Sequence, residues 1–240
     1  MHKLKVEKLA KTIKKTTIIT DISLYVKSGE IVGLLGPNGA GKTTTFYMIC
    51  GLIPPTKGEV YLDNKILTKL PLHERSKLGI GYLPQESSIF KELSVEENLM
   101  LAAEIIYKSQ EDREKRVEEL LNLLNIEPIR QRKGLSLSGG ERRRCEIARS
   151  LAIQPKFLLL DEPFAGVDPI AVADIQGIVR DLIKLNIGIL ITDHNVRETL
   201  DICDRAYVIK DGSLLASGTS DEVAQNKLVR TYYLGEDFKL

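Results

Sequence analysis

Eight consecutive residues, Gly36-Pro37-Asn38-Gly39-Ala40-Gly41-Lys42-Thr43, spell the pattern GxxxxGK[ST]. Phosphate binding is the chemistry that suits it. Glycines let backbone N–H groups wrap around phosphates, and a helix N-terminus behind them adds the positive end of its dipole. Lys42 would then reach the β- and γ-phosphates of a nucleotide, and the Thr43 hydroxyl would ligate Mg²⁺. A second signal lies downstream, where Phe157-Leu158-Leu159-Leu160 runs apolar into Asp161 and Glu162. Ligands of open α/β sheets sit beyond the carboxyl ends of the strands. Asp161 would hold a Mg²⁺ coordination sphere there. Glu162, pointing elsewhere by strand alternation, would be free to polarise water.

Leu137-Ser138-Gly139-Gly140-Glu141 admits two compatible readings. Ser138 with Glu141 three residues on is a capping box that starts a helix. Ser138 with the Gly139 and Gly140 amides is also a second anion cradle. Behind it, Arg142, Arg143 and Arg144 fall on different sides of a helix, and solvated charge is the expectation for at least two of them. A histidine after a buried strand, taken singly, reads as structural, and His2 and His73 keep that reading.

Strands and helices in alternation must position these groups. The stretches 4–9 and 16–26 alternate apolar and polar, as half-buried strands do, up to the turn Lys27-Ser28-Gly29-Glu30. Ile31-Val32-Gly33-Leu34-Leu35 is a buried strand, and a helix starts near Lys42 and ends near Gly51. Residues 60–62 and those around Ile66 are a further pair of strands. Ser94-Val95-Glu96-Glu97 is a capping box for a helix through Tyr107. Val117, Leu120, Leu121 and Leu124 line one face of another helix over 111–124. Apolar strands return at 157–160, 188–192 and 206–209, with Val172, Ile175, Val179 and Leu182 on one face of the helix between the first two. Buried strands alternating with helices predict an α/β fold around a mainly parallel sheet.

The chain has 240 residues, 43% hydrophobic and 28% charged, which excludes general disorder. With 34 Lys+Arg against 33 Asp+Glu there is no basic excess for a phosphate backbone, so no nucleic acid is expected. Lys11 to Lys15 reads as a solvated loop. Cys50, Cys145 and Cys203 lack metal-ligand spacing and read as small buried hydrophobes in a reducing compartment. Neither a signal peptide nor 18 consecutive apolar residues occurs, so a cytosolic chain, or one docked to something in a membrane, is expected.

The phosphate loop, Gln85, the Leu-Ser-Gly-Gly-Glu motif, the strand running into Asp161 and Glu162, and His194 stand in the order and spacing of ABC-type ATPase subunits. The chain resembles that family over nearly its whole length. Longer segments (43–48, 79–90, 162–170, 192–200 and 233–240) are similar to the branch of the family that powers lipopolysaccharide export. The resemblance implies a single ABC ATPase domain: a core of about 1–85 and 156–210 with an N-terminal antiparallel β subdomain, an inserted helical subdomain of about 86–155, and a C-terminal segment of about 211–240. It implies ATP and Mg²⁺ as cofactors. ATP is held by residues 36–43, Thr44 and Ile13, where Ile13 stands in the place of an aromatic that stacks on adenine. Gln85 touches Mg²⁺ and the attacking water, Glu162 is the general base, and His194 contacts the γ-phosphate. Ser138, Gly139, Gly140 and Asp168 complete the partner's site in a homodimer that sandwiches two ATPs. Phe90 and Lys91 belong to a groove that grips integral membrane subunits, here resembling LptF and LptG. Membrane contact is then through partners only, on the cytoplasmic face of the inner membrane. Two rival readings keep less: the ATPase of an amino-acid importer, and a soluble ABC protein acting on ribosomes or DNA. A nucleotide-binding regulator without turnover is disfavoured by Glu162 and His194.

Overall fold

The computed structural model describes residues 1–235, 237 and 238. Glu236, Lys239 and Leu240, in the tail on which the resemblance drew, lie outside the described residues. In chain order the elements are β1 (Lys3–Ile13), β2 (Thr16–Lys27), β3 (Ile31–Leu35), α1 (Lys42–Cys50), β4 (Lys57–Leu62), β5 (Lys65–Ile66), α2 (Leu72–Lys77) and β6 (Ile80–Leu83). There follow α3 (Val95–Ala103), α4 (Gln110–Leu123), α5 (Gly139–Ala152), β7 (Phe157–Asp161), α6 (Pro169–Lys184), β8 (Gly188–Thr192), α7 (Val196–Leu200), β9 (Arg205–Lys210), β10 (Ser213–Thr219), α8 (Ser220–Gln225) and α9 (Lys227–Val229).

The strands join in the order β5-β4-β1-β2-β10-β9-β3-β8-β7-β6. The β5, β4, β1, β2 portion is antiparallel throughout. The β9, β3, β8, β7, β6 portion is parallel, and every residue of β3, β7 and β8 is buried. A strand buried on both faces must be apolar throughout, which is why these runs lack alternation. Successive side chains still part to opposite faces. Ile31, Leu158, Leu160, Ile189 and Ile191 join the core beneath α3 to α6, while Val32, Leu34, Phe157, Leu159 and Leu190 join the one beneath α1.

Three local expectations are corrected. Lys11 to Ile13 belong to β1, and only Lys14-Lys15 turn, with φ of 45° and 72°. Two positive φ values in a two-residue hairpin suit Asn-Gly and strain lysine. Replacing Lys14-Lys15 by Asn-Gly should stabilise the fold by about 1 kcal/mol, read as a higher urea midpoint at unchanged slope. The helix capped by Ser94 ends at Ala103 instead of reaching Tyr107, because the chain tightens there into bonds such as Ile105 N–H to the Ala102 carbonyl at 3.3 Å. The Arg113 guanidinium then takes up the Tyr107 carbonyl at 2.9 Å.

The third correction concerns the arginines. Arg143 is only 6% exposed, Arg144 pairs with Asp174 at 3.2 Å, and Arg142 donates to the Leu137 carbonyl at 3.0 Å. None of the three is a freely solvated charge, since α5 is packed between the sheet, α3 and α6 and presents little open face.

Candidate functional site

The parallel strands deliver the candidate groups to one edge. β3 runs into the loop 36–41, and α1 begins directly behind it. Gly36 (φ +147°) could not carry a side chain, since a Cβ would lie 2.1 Å from the Ile209 carbonyl oxygen. Gly41 (φ +99°) begins α1 in a left-handed conformation without a side-chain cap, so the first amides of the helix stay available to an anion. The Lys42 ammonium, 7% exposed, is folded into the loop, donating to the carbonyls of Gly36 at 2.6 Å and Pro37 at 3.1 Å. Burial lowers its pKa, and Glu162 opposes that shift.

A cavity of about 290 Å³ brings Asn38, Gly39, Gly41, Lys42, Thr43 and Thr44 together with Glu162 and His194. Gly36, Pro37 and Ala40 shape the loop without lining it, and Ile13, at the far end of β1, does not line it either. Ile18 of β2 does; sequence reasoning missed it, because nothing in an alternating strand marks the residue that meets a distant loop.

β7 ends at Asp161, 2% exposed, and burial, then the Glu162 charge, push its carboxyl up to about 6. Glu162 turns out of the strand with φ of +47° and donates its N–H to the Thr192 carbonyl at 2.7 Å. Its Oε1 lies 2.7 Å from His194 Nε2, and its Oε2 is buried without a partner. Behind them the buried Asp193 accepts the Phe164 N–H at 2.9 Å and the Asn195 N–H at 2.8 Å, tying the Glu162 turn to the His194 turn.

The Thr43 hydroxyl and the Asp161 carboxylate are hard oxygen ligands of the kind Mg²⁺ takes, completed by phosphate oxygens and water. The unpartnered Glu162 oxygen and the raised Asp161 mark a place that gains from positive charge. Asp161 is buried and does not line the cavity that Thr43 lines, but by their chemistry these donors fit Mg²⁺. Without it the carboxylate is costly. Below about pH 4 Asp161 is protonated in both states; above that the unfolded chain ionises first, and the stability contributed by the raised carboxyl is lost as pH climbs to about 6. Asp161→Asn should thus be the more thermostable chain in EDTA near pH 7, and a melting series should show the gap closing towards pH 4.

Other predicted residues lie apart. Gln85, Gly139, Arg142, Arg143 and Glu146 line a second cavity of about 170 Å³ with Ala165, Gly166 and Val167. Ser138 Oγ accepts the Glu141 N–H at 3.3 Å, and Glu141 Oε2 accepts the Ser138 N–H at 2.8 Å, so the capping box is present in full. Asp168 caps α6, accepting the Ala171 N–H at 3.0 Å. Within one chain, then, Gln85, Ser138, Gly139, Gly140 and Asp168 do not reach the cavity that holds Lys42 and Thr43. Phe90 is 47% exposed with the Arg149 guanidinium 4.7 Å from its ring centroid, and Lys91 is exposed beside it.

The ABC transporter family model matches residues 19–165. The chain belongs to this family. Among curated proteins, this ABC ATPase is 56% identical over 241 residues to the lipopolysaccharide export system ATP-binding protein LptB of Escherichia coli K12, covering 100% of both chains. It is 54% identical to the LptB of Haemophilus influenzae over the same coverage. Among solved structures it is similar to the ADP conformation of an ABC transporter's ATP-binding cassette, with a TM-score of 0.88, 30% identity, and 98% and 100% of the two chains covered. A dimeric post-hydrolysis cassette bound to ADP and Pi matches with a TM-score of 0.79 and 29% identity, over 90% and 98%. The ABC ATPase binds ATP and hydrolyses it to ADP and phosphate.

Two further residues of this ABC ATPase escaped sequence reasoning. Arg75, 0% exposed, donates to the carbonyls of Met48 (2.8 Å), Ile49 (2.6 Å), Leu70 (2.8 Å) and Thr68 (3.1 Å), closing the C-terminal end of the helix that begins at Lys42. Glu146 pairs with Arg143 in the floor of the second cavity. Both belong to charged, outwardly unremarkable helices, and only tertiary packing separates them from solvated neighbours. Among the described residues no helix is long and apolar enough to cross a membrane.

Proposed function

We propose that this chain is the ATP-hydrolysing subunit of a lipopolysaccharide export transporter, a homodimer docked on the cytoplasmic side of the inner membrane beneath two integral subunits resembling LptF and LptG. The likeness to LptB from end to end, at 56% identity, carries the cargo assignment and leaves no ground for an importer or a ribosome-bound protein. The 2.7 Å pair of Glu162 and His194 facing the loop amides carries the chemistry.

In this reading the amides of 38–44 and the Lys42 ammonium bind the β- and γ-phosphates, and Ile13 and Ile18 offer an aliphatic surface to the base. Thr43 and Asp161 hold Mg²⁺, and Gln85, which lines the second cavity in this conformation, joins them when the helical stretch shifts on the core. When bound, Mg²⁺ neutralises phosphate charge. Glu162 takes the proton of the attacking water, and His194 orients Glu162 and the γ-phosphate. Ser138, Gly139, Gly140 and Asp168 serve the second copy's ATP, which accords with their distance from their own phosphate loop. The stretch 86–155 moves as a helical subdomain on the core, and its half-exposed Phe90 with Lys91 receives the membrane subunits.

Affinity purification of the tagged chain from detergent-solubilised native membranes tests the assignment. Recovery of two lipopolysaccharide-transport membrane subunits is the expected result. An importer's permeases, ribosomes, or no membrane protein at all would remove it.

A further inference from the structure

Tyr82 has no role in the reaction so far described, yet its hydroxyl approaches the Asp161 carboxylate. β6 pairs with β7 in parallel, setting Tyr82 beside Leu159 and Leu83 beside Leu160. Leu159 and Asp161 share one face of β7 by alternation, the face that packs under α1. Tyr82 packs on that same face, its ring 6.2 Å from that of Phe46 at an interplanar angle of 52°. Its hydroxyl lies 3.5 Å from Asp161 Oδ2. Among the described residues it is the one hydrogen-bond donor to that carboxylate, which is 2% exposed. The Arg143 guanidinium, close by, goes to the Asp161 backbone carbonyl instead.

We propose that Tyr82 is a positioning residue for cation binding: its phenol engages one oxygen of Asp161, fixes the rotamer, and leaves the other oxygen for a divalent cation. The inference rests on Asp161 being a Mg²⁺ ligand. A phenol is the right donor for the task. A lysine or arginine would hold the carboxylate as an ion pair and oppose a second cation, and a phenylalanine would leave a buried carboxylate oxygen with no donor. A tyrosine phenol is a protonated donor throughout the physiological range. Hydrogen-bond partners of metal-ligating carboxylates commonly change metal affinity by about 10- to 100-fold.

The test uses Mn²⁺ as the probe, in the full chain carrying Glu162→Gln so that ATP is retained. With protein in excess over ATP, loss of the free-ion paramagnetic resonance signal gives the dissociation constant of Mn²⁺ from the complex. Tyr82→Phe keeps the ring against Phe46, and in EDTA it should still unfold in one cooperative transition, at a melting temperature somewhat below the parent's because a buried carboxylate oxygen has lost its donor. The expected result is a dissociation constant about tenfold higher, with Tyr82→Leu no worse than Tyr82→Phe, since the hydroxyl and not the ring is responsible. A parent-like constant in Tyr82→Phe, alongside a weak one in Asp161→Asn, overturns the role of Tyr82 and leaves that of Asp161 standing. A parent-like constant in Asp161→Asn removes the Mg²⁺ reading itself.

Discussion

The Glu162→Gln chain should bind ATP as the parent does and hydrolyse it about 10²- to 10⁴-fold more slowly, a loss of about 3–5 kcal/mol of barrier lowering. The substitution preserves shape. The turn that carries residue 162 is fixed by its N–H bond to the Thr192 carbonyl at 2.7 Å and by φ of +47°, neither of which depends on the charge. A carboxamide can also keep a hydrogen bond to His194, so the change falls on basicity alone. Glu162 is 7% exposed and one of its oxygens is buried without a partner, so the carboxylate sits where little bulk solvent competes for its lone pairs. Single-turnover hydrolysis and equilibrium nucleotide binding, measured on the same preparation, separate the two quantities. Turnover within threefold of the parent would take the base role from Glu162.

The largest stability effect is expected from Arg143→Met, a loss of about 3–5 kcal/mol, because it strands a buried charge. The side chains of Arg143 and Glu146 are 7% and 3% exposed and lie 3.1 Å apart. The guanidinium also donates to the carbonyls of Pro84 at 2.9 Å and Asp161 at 3.2 Å, while Glu146 Oε1 accepts Ser87 Oγ at 2.8 Å and the Ser88 N–H at 2.9 Å. One pair on α5 thus joins the end of β7 to the segment that follows Gln85. Glu146→Leu alone should be comparably damaging. The double variant Arg143→Met/Glu146→Leu should recover a large part of the loss, since removing both charges also removes the desolvation cost. Urea unfolding of the four chains gives the coupling. Strictly additive losses would mean that the pair acts as two separate side chains.

What could be read without coordinates follows a physical division. The phosphate loop, the β7 carboxylates and the Ser138 cap are local: their residue types at fixed spacing carry their own geometry, and each stands where its pattern implied. The buried strands were equally legible, because a run such as Gly188–Thr192 has no polar face to misplace. Arg75, Arg143 and Ile18 were opaque for the opposite reason. Arg75 meets Met48 and Ile49 across more than twenty positions, and no local pattern distinguishes a guanidinium that caps another helix from one in water. The separation of Gln85 from Thr43 within one chain was invisible too, being a property of how the inserted helices sit on the sheet.

The order of strands carries a further consequence, for biosynthesis. β2 and β3 are consecutive in the chain yet separated in the sheet by β9 and β10, the last two strands among the described residues. The strand that feeds the phosphate loop pairs with β9 through Val32, Gly33, Leu34 and Leu35, and β10 meets β2 at Ser213 and Asp21. A ribosome that has released the first two hundred residues has therefore released a sheet with a gap at its centre, where the facing edges of β2 and β3 are unpaired. Such intermediates are prone to aggregate. Completion waits on the segment Arg205–Thr219, which fills the gap between β2 and β3 and gives the strand that feeds the phosphate loop its second neighbour.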